Sequence, residues 1–402
     1  VAIRRIALTL LVAGSLAACQ SGGTPPAEPV AATPAPVTEG GVASAPGASA
    51  AAPSGAASPS ASGKPSPSPS KATVKTLPKP GNPSGTAAIP AAAKPVDTSK
   101  PDRTIGDGTP ASCTSAAVVK AVAAGGVITF DCGPSPVTIT MAATAKVRNP
   151  VAKVVLDGGG RVTLSGGGKR RILYMNVCDT AQGVSPASGH CHDKVTPRLT
   201  VQNLAFTKGN ATETGDELGG GGAIFVNGGG LRVINSRFTG NRCAGTGPDI
   251  GGGAIRVRLQ GGNQPIYVAG STFTGGVCSN GGALSSIHVS WTILNSVFSG
   301  NTAVGNGANP ARAGTPGGGS GGAIYQDGDT YTLTLNGTIV EKNRANEGGG
   351  AIFFVSNDRT GTLAIRNSTL RKNVSGKFET DGLPGIFYLG NGNPVTSGSK
   401  LS

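Results

Sequence analysis

Two stretches of this chain place side chains capable of acid–base or electrostatic chemistry at strand spacing. In Ile255-Arg256-Val257-Arg258 cations alternate with apolar residues, so a strand that buries Ile255 and Val257 turns Arg256 and Arg258 outward. Asp327 and Asp329 hold related outward positions about two repeats later, roughly 10 Å away along a stack of strands. A basic side chain beside carboxylates suits proton abstraction next to an anionic group, where developing charge must be neutralised. Hydrolysis by two carboxylates would need acids roughly 5–10 Å apart on one face, and no dense Asp/Glu cluster supplies them. Asp157, in Leu156-Asp157-Gly158, is a turn former by type. Lys169-Arg170-Arg171 is a basic rim that can grip an acidic polymer.

Cys178, His190, Cys191 and His192 are zinc ligands by type. Residues 190 to 192 are too closely spaced to serve one tetrahedral centre, so no metal is expected. With Cys19 set aside, six of the seven cysteines remain, an even number suited to an oxidising compartment. Neighbour pairing gives Cys113–Cys132, Cys178–Cys191 and Cys243–Cys278 among fifteen formal connectivities.

The frame that must position these groups is a repeat. Six copies of a strand, an Asn-x-x-apolar step and a glycine run begin near Leu199, Leu231, Pro265, Trp291, Tyr331 and Thr362. Their apolar alternation has period 2, and a single unit cannot bury one face of such a strand. Stability must come from stacking turns about 4.8 Å apart around a shared interior. Asn203, Asn235, Asn295, Asn336 and Asn367 recur three residues before Phe206, Phe238, Phe298, Ile339 and Leu370, a corner where amides can bond from turn to turn. Cys243 and Cys278 each follow a phenylalanine, Phe238 and Phe273, by five residues, which puts them at one corner of adjacent turns and within disulfide reach. The expected fold is all-β, a right-handed parallel β-helix. A short capping helix over Ser112 to Gly126 covers its first edge.

One residue beyond each inward Ile or Leu stand Phe225, Arg256, Ser285, Tyr325, Phe353 and Phe387. If open, this column suits stacking against sugar rings or a protein partner. If the glycine loops fold over it, it is a second small core. The chain has only 16 aromatic residues, so four in one column carry information either way.

Residues 1–18 read as a lipoprotein signal: Arg4 and Arg5, an apolar run from Ile6 to Val12, then Leu16-Ala17-Ala18-Cys19. This resembles the bacterial lipobox, whose cysteine is lipidated, and the resemblance implies lipidation at Cys19 and a cell-envelope address, at the outer membrane or cell surface. Residues 19–100 are Pro-, Ala- and Ser-rich and read as a disordered linker, with ends roughly 50 Å apart as a flexible coil. The β-helix is expected over 101–393, with a frayed tail over 394–402. Residues 101–402 hold 26 Lys and Arg against 17 Asp and Glu, which favours anionic partners. The export signal argues against nucleic acid.

The Gly-Gly-Ala-Ile elements at Gly221–Ile224, Gly321–Ile324 and Gly349–Ile352, with Phe238 to Asn241 and Phe298 to Asn301, resemble tandem motifs of the polymorphic outer-membrane protein family. More loosely, they resemble the pectin-lyase-like β-helix superfamily. The first resemblance implies surface display and adhesion, with a lipid anchor expected in place of the family's translocator barrel. The second implies a polysaccharide lyase or hydrolase using Ca²⁺ with Arg256, Arg258, Asp327 and Asp329. The leading expectation is a non-catalytic, monomeric surface lipoprotein without cofactor that binds an acidic glycan or a surface protein. The alternatives are the lyase and a structural envelope spacer.

Overall fold

The structure, a computed structural model, describes residues 75–183, 191–214 and 219–402. The signal, Cys19, most of the linker and His190 lie outside the described residues. The described strands build a right-handed parallel β-helix of three sheets with 16, six and eight strands. One turn runs through Gly230–Ile234, Arg237–Thr239, Arg242–Cys243 and Ile255–Val257 before the chain returns at Ile266–Ala269. In the first sheet Leu199 pairs with Leu231, Ile266 with Trp291, Trp291 with Leu333 and Leu333 with Leu363. Those pairs lie within two residues of the repeat starts read from the sequence, Ile266, Leu333 and Leu363 standing where Pro265, Tyr331 and Thr362 were expected.

The interior shows why the repeat stacks. Phe206, Phe238, Phe273 and Phe298 form one column of parallel rings with centroids 4.8, 4.7 and 4.7 Å apart. Each is fully buried, worth about 1.5–3 kcal/mol in apolar transfer. Beside it, the Ser236 amide donates to Ser271 Oγ at 3.1 Å, Ser271 to Ser296 Oγ at 3.1 Å, and Ser296 to Thr338 Oγ1 at 3.3 Å. The corner asparagines Asn203, Asn235, Asn295 and Asn367 take left-handed φ of 47–49°, a conformation asparagine tolerates better than most residues. In the fifth turn the expected register is off by one. Gly337 (φ 63°) occupies the corner, while Asn336 pairs with Arg366 and Val340, not Ile339, pairs with Phe298 and Leu370. A glycine replaces asparagine at the corner because both tolerate positive φ.

The cap is a helix, α1, over Ser115–Ala124. Thr114 Oγ1 accepts from the Ala117 amide at its start, and Gly125 (φ 73°) ends it. It buries Val118, Ala121 and Val122 on the first turn, and the Cys113–Cys132 disulfide joins it to the strand that follows. Before the repeats proper, Lys153–Ser165 forms one long strand with a register shift between Asp157 and Val162.

Two boundaries need correction. Residues 75–100, expected to be disordered linker, form a strap along the first sheet. It leaves the corner where the Leu77 amide donates to Gly160 O, climbs to Asn82, whose Nδ2 donates to Gly337 O at 2.8 Å, and descends to Thr98, whose hydroxyl donates to Asp157 Oδ2 at 2.8 Å. Corner side chains take up its backbone: Asn295 Oδ1 accepts from the Ala87 amide and its Nδ2 donates to Ala87 O, while Gln202 does the same for Val96. Ala93, fully buried, packs on Ala269 and Leu294. Residues 394–402, expected to fray, start a further turn: Val395 pairs with Ala364, and Lys400–Leu401 with Thr369–Leu370. The open edge of the preceding turn supplies the hydrogen bonds that order them.

Candidate functional site

The aromatic column exists in the expected register but is not open to solvent. Tyr174, Phe225, Arg256, Ser285, Tyr325, Phe353 and Phe387 pair in sequence across the eight-stranded sheet. Phe225 is 0%, Arg256 2%, Tyr325 1% and Phe353 4% exposed, and only Phe387 is partly exposed. Tyr325 stacks on Phe353 at 4.9 Å, Phe353 on Phe387 at 5.1 Å, and Phe378 closes over both phenylalanines edge-on. The glycine loops fold over these rings, so Phe225, Arg256, Tyr325 and Phe353 are a second core and not a ligand platform. Rings left in water would forfeit the burial that their stacking allows.

Arg256 belongs to that core. It donates to Ser285 Oγ and, at 2.7 Å, to the Asp249 carbonyl, and burial lowers its guanidinium to about 10. It therefore stays charged at neutral pH. Asp327 lies two turns further on. Its Oδ2 accepts from Tyr325 Oη at 3.0 Å and from Asn309 Nδ2 at 3.3 Å, and its Oδ1 accepts from the Gly328 amide at 2.8 Å. Burial, and then the Asp327 charge, hold the Tyr325 hydroxyl well above its usual value. Asp329 sits apart, exposed, with its amide donating to His288 Nδ1 at 3.1 Å. Arg258, half-buried, follows Arg256 on the same strand edge. The four candidates therefore share one flank of the sheet, but Arg256 and Asp327 are committed to holding loops in place. Asp157 likewise binds its surroundings, accepting from the Gly159 amide, Asn203, Gln202 and Thr98. Cys178, Cys191 and His192 approach within 4.8 Å of one another, but the two sulfurs are joined in a disulfide.

The open charged site is at the opposite flank, around Gly166–Arg171. A cleft of about 370 Å³ is lined by four cations, Lys146, Lys169, Arg170 and Arg171, by two carboxylates, Asp179 and Glu213, and by Tyr174, Asn210, Thr212 and Thr214. Lys146 and Lys169 are exposed, and Arg170, half-exposed, is steadied by a hydrogen bond to the Ala142 carbonyl. Arg171 differs from its two neighbours. It is buried, donates to Gly220 O at 2.8 Å and Gly221 O at 3.1 Å, and lies 4.8 Å from the Phe225 ring centroid. Desolvation lowers it to about 10, so its charge persists beneath the cleft floor. Across the loop a second hollow is lined by Gly168, Lys208, Gly209, Gly240 and Arg242. Arg242 and Asn210 both donate to the Gly168 carbonyl, at 3.4 and 2.8 Å, which ties the two hollows together.

No family model matches the chain, and no curated protein and no solved structure matches it significantly.

The basic run at 169–171 was visible in the sequence as a candidate grip. Lys146, Lys208 and Arg242 were not, because the winding of the helix brings them there from separate turns. Their only sequence signal was position: Lys208 and Arg242 each flank the turn after a repeated phenylalanine.

Proposed function

We propose that this protein is a non-catalytic binding module for an acidic glycan, displayed from the cell envelope by an N-terminal lipid at Cys19. The observation that carries this reading is the convergence of Lys146, Lys169, Arg170, Lys208 and Arg242, all at least partly exposed, on two adjoining hollows around one loop. A focused positive potential attracts carboxylated or sulfated polymers, and the excess of 26 Lys and Arg over 17 Asp and Glu in residues 101–402 adds to it at long range. Binding is favoured over turnover because Arg256 and Asp327, two of the four residues nominated for catalysis, spend their hydrogen bonds on Asp249, Ser285, Tyr325 and Asn309. The export signal and the linker support the envelope address.

A glycan array probed with the purified chain, with and without Ca²⁺, tests the proposal. Uronate-containing glycans should bind without appearance of unsaturated or new reducing ends. A Lys169→Ser/Arg170→Ser variant should bind at least tenfold more weakly, and binding should fall steeply between 50 and 200 mM salt. Calcium-dependent product formation would replace this reading with a lyase.

A further inference from the structure

The corner between the first sheet and the six-stranded sheet has the same backbone in every turn. Lys208, Gly240, Gly275, Gly300, Lys342 and Lys372 all take left-handed φ of 50–64°. Each amide in this series donates to the next turn: Lys208 to Thr239 O, Gly240 to Thr274 O, Gly275 to Ser299 O, Gly300 to Glu341 O and Lys342 to Arg371 O. The six residues therefore form one column parallel to the long axis. At Gly240, Gly275 and Gly300 an added Cβ would meet nothing within 4 Å, so the middle of the column is open. Hydroxyls of Thr239, Thr274 and Ser299 stand one residue earlier along it. On the other side Arg242, Val277, Thr302 and Arg344 share one register, and Val277 is 37% exposed. The result is a bare glycine floor with cations at both ends.

Lysine is an uneconomical choice at such a corner. Its Cβ is disfavoured at positive φ, and three neighbouring turns solve the same geometry with glycine. The lysines sit at the two ends of the column, where they add charge to Arg242 at one end and to Arg344 at the other.

We propose that this corner is a longitudinal track for one extended acidic glycan, held at the near end by Lys208 and Arg242 and at the far end by a second basic subsite of Lys342, Arg344 and Lys372. The proposal rests on the glycan-binding reading above and adds to it the far subsite and the direction of the polymer. Four turns separate Lys208 from Lys342, about 19 Å at the strand spacing. A ligand shorter than that span touches one end, and a longer one engages both, so that the second contact is intramolecular and raises affinity without altering either subsite.

The test is fluorescence anisotropy with end-labelled oligogalacturonates of increasing length, against the whole chain and two variants. Lys342→Gly/Arg344→Ser/Lys372→Gly removes the far end, and Lys208→Gly/Arg242→Ser removes the near end. Glycine is the residue this backbone favours, so both variants keep the fold. Affinity should rise at least tenfold once the oligomer spans both ends. The far-end variant should abolish that rise and leave short oligomers bound as before, and the near-end variant should weaken all lengths. Short oligomers that fail to bind would overturn the glycan reading itself. Short oligomers that bind, with no step in affinity or with a step the far-end variant leaves intact, would overturn the track alone. A larger step with polyphosphate of equal span would overturn the assignment to a glycan in favour of a phosphate polymer.

Discussion

Glu347 has a fully buried side chain and is nonetheless ionised down to about pH 2. The bidentate Arg312 bonds, at 2.7 and 2.9 Å, lower its pKa most, and the Lys377 ammonium and the Gly307 amide, each at 2.8 Å, add to them against the cost of burial. Because the folded value lies below the unfolded one, its contribution is complete above about pH 4.5 and is lost as pH falls towards 2. Glu347→Gln should cost about 2–3 kcal/mol at pH 7 in urea unfolding. It should also flatten the acid limb of stability between pH 4.5 and 2, and a variant with the wild-type acid limb would contradict this account. The same residue scale shows what sequence reading resolves. Cys243 and Cys278 were placed together by their distance from Phe238 and Phe273, and they are joined, with Cα atoms 4.8 Å apart. Asn336 falls one residue short of the corner because the corner selects for positive φ and not for the amide, and Gly337 meets that need. Phe225, Tyr325 and Phe353 were aligned correctly, but whether a loop covers a ring depends on loop lengths that differ in every turn.

The strap was hidden for a different reason. Residues 75–100 have the composition of a disordered tether and form no regular strand, so no periodicity marks them. Their order comes from single backbone groups captured by Gln202, Thr272 and Asn295, with Ala93 as the apolar peg. Ala93→Asp would bury an unpaired carboxylate under the strap, which the strap can avoid by lifting away. Hydrogen exchange should then lose protection over 77–98, while the turns from 230 to 366 keep theirs. Loss of protection throughout would mean that the strap is integral to the solenoid and not an addition to it. The cap helix, by contrast, was legible from its alanine-rich run and terminal glycines, and only its first residues moved, to Ser115.

For the whole molecule, stability should be close to a sum over neighbouring turns, since the strands of each turn pair only with those of the turns above and below. Phe273→Ala should cost about 3–5 kcal/mol. A double-mutant cycle between Phe238 and Phe273, which stack at 4.7 Å, should show coupling of about 0.5 kcal/mol or more, whereas Phe206 and Phe298, with two rings between them, should add independently. Equal coupling in both cycles would show that the column acts as one block. This series construction gives the strap a mechanical meaning. A pull on the chain entering at Lys75 reaches the Leu77–Gly160 bond first, then the Arg237 contacts to Pro78 and Lys79, then Thr272 and Asn295, before any strand of the solenoid bears load. These bonds fail one at a time and release slack chain at each step. The strap is in this sense a fuse, extending under tension while the wound body behind it keeps its shape.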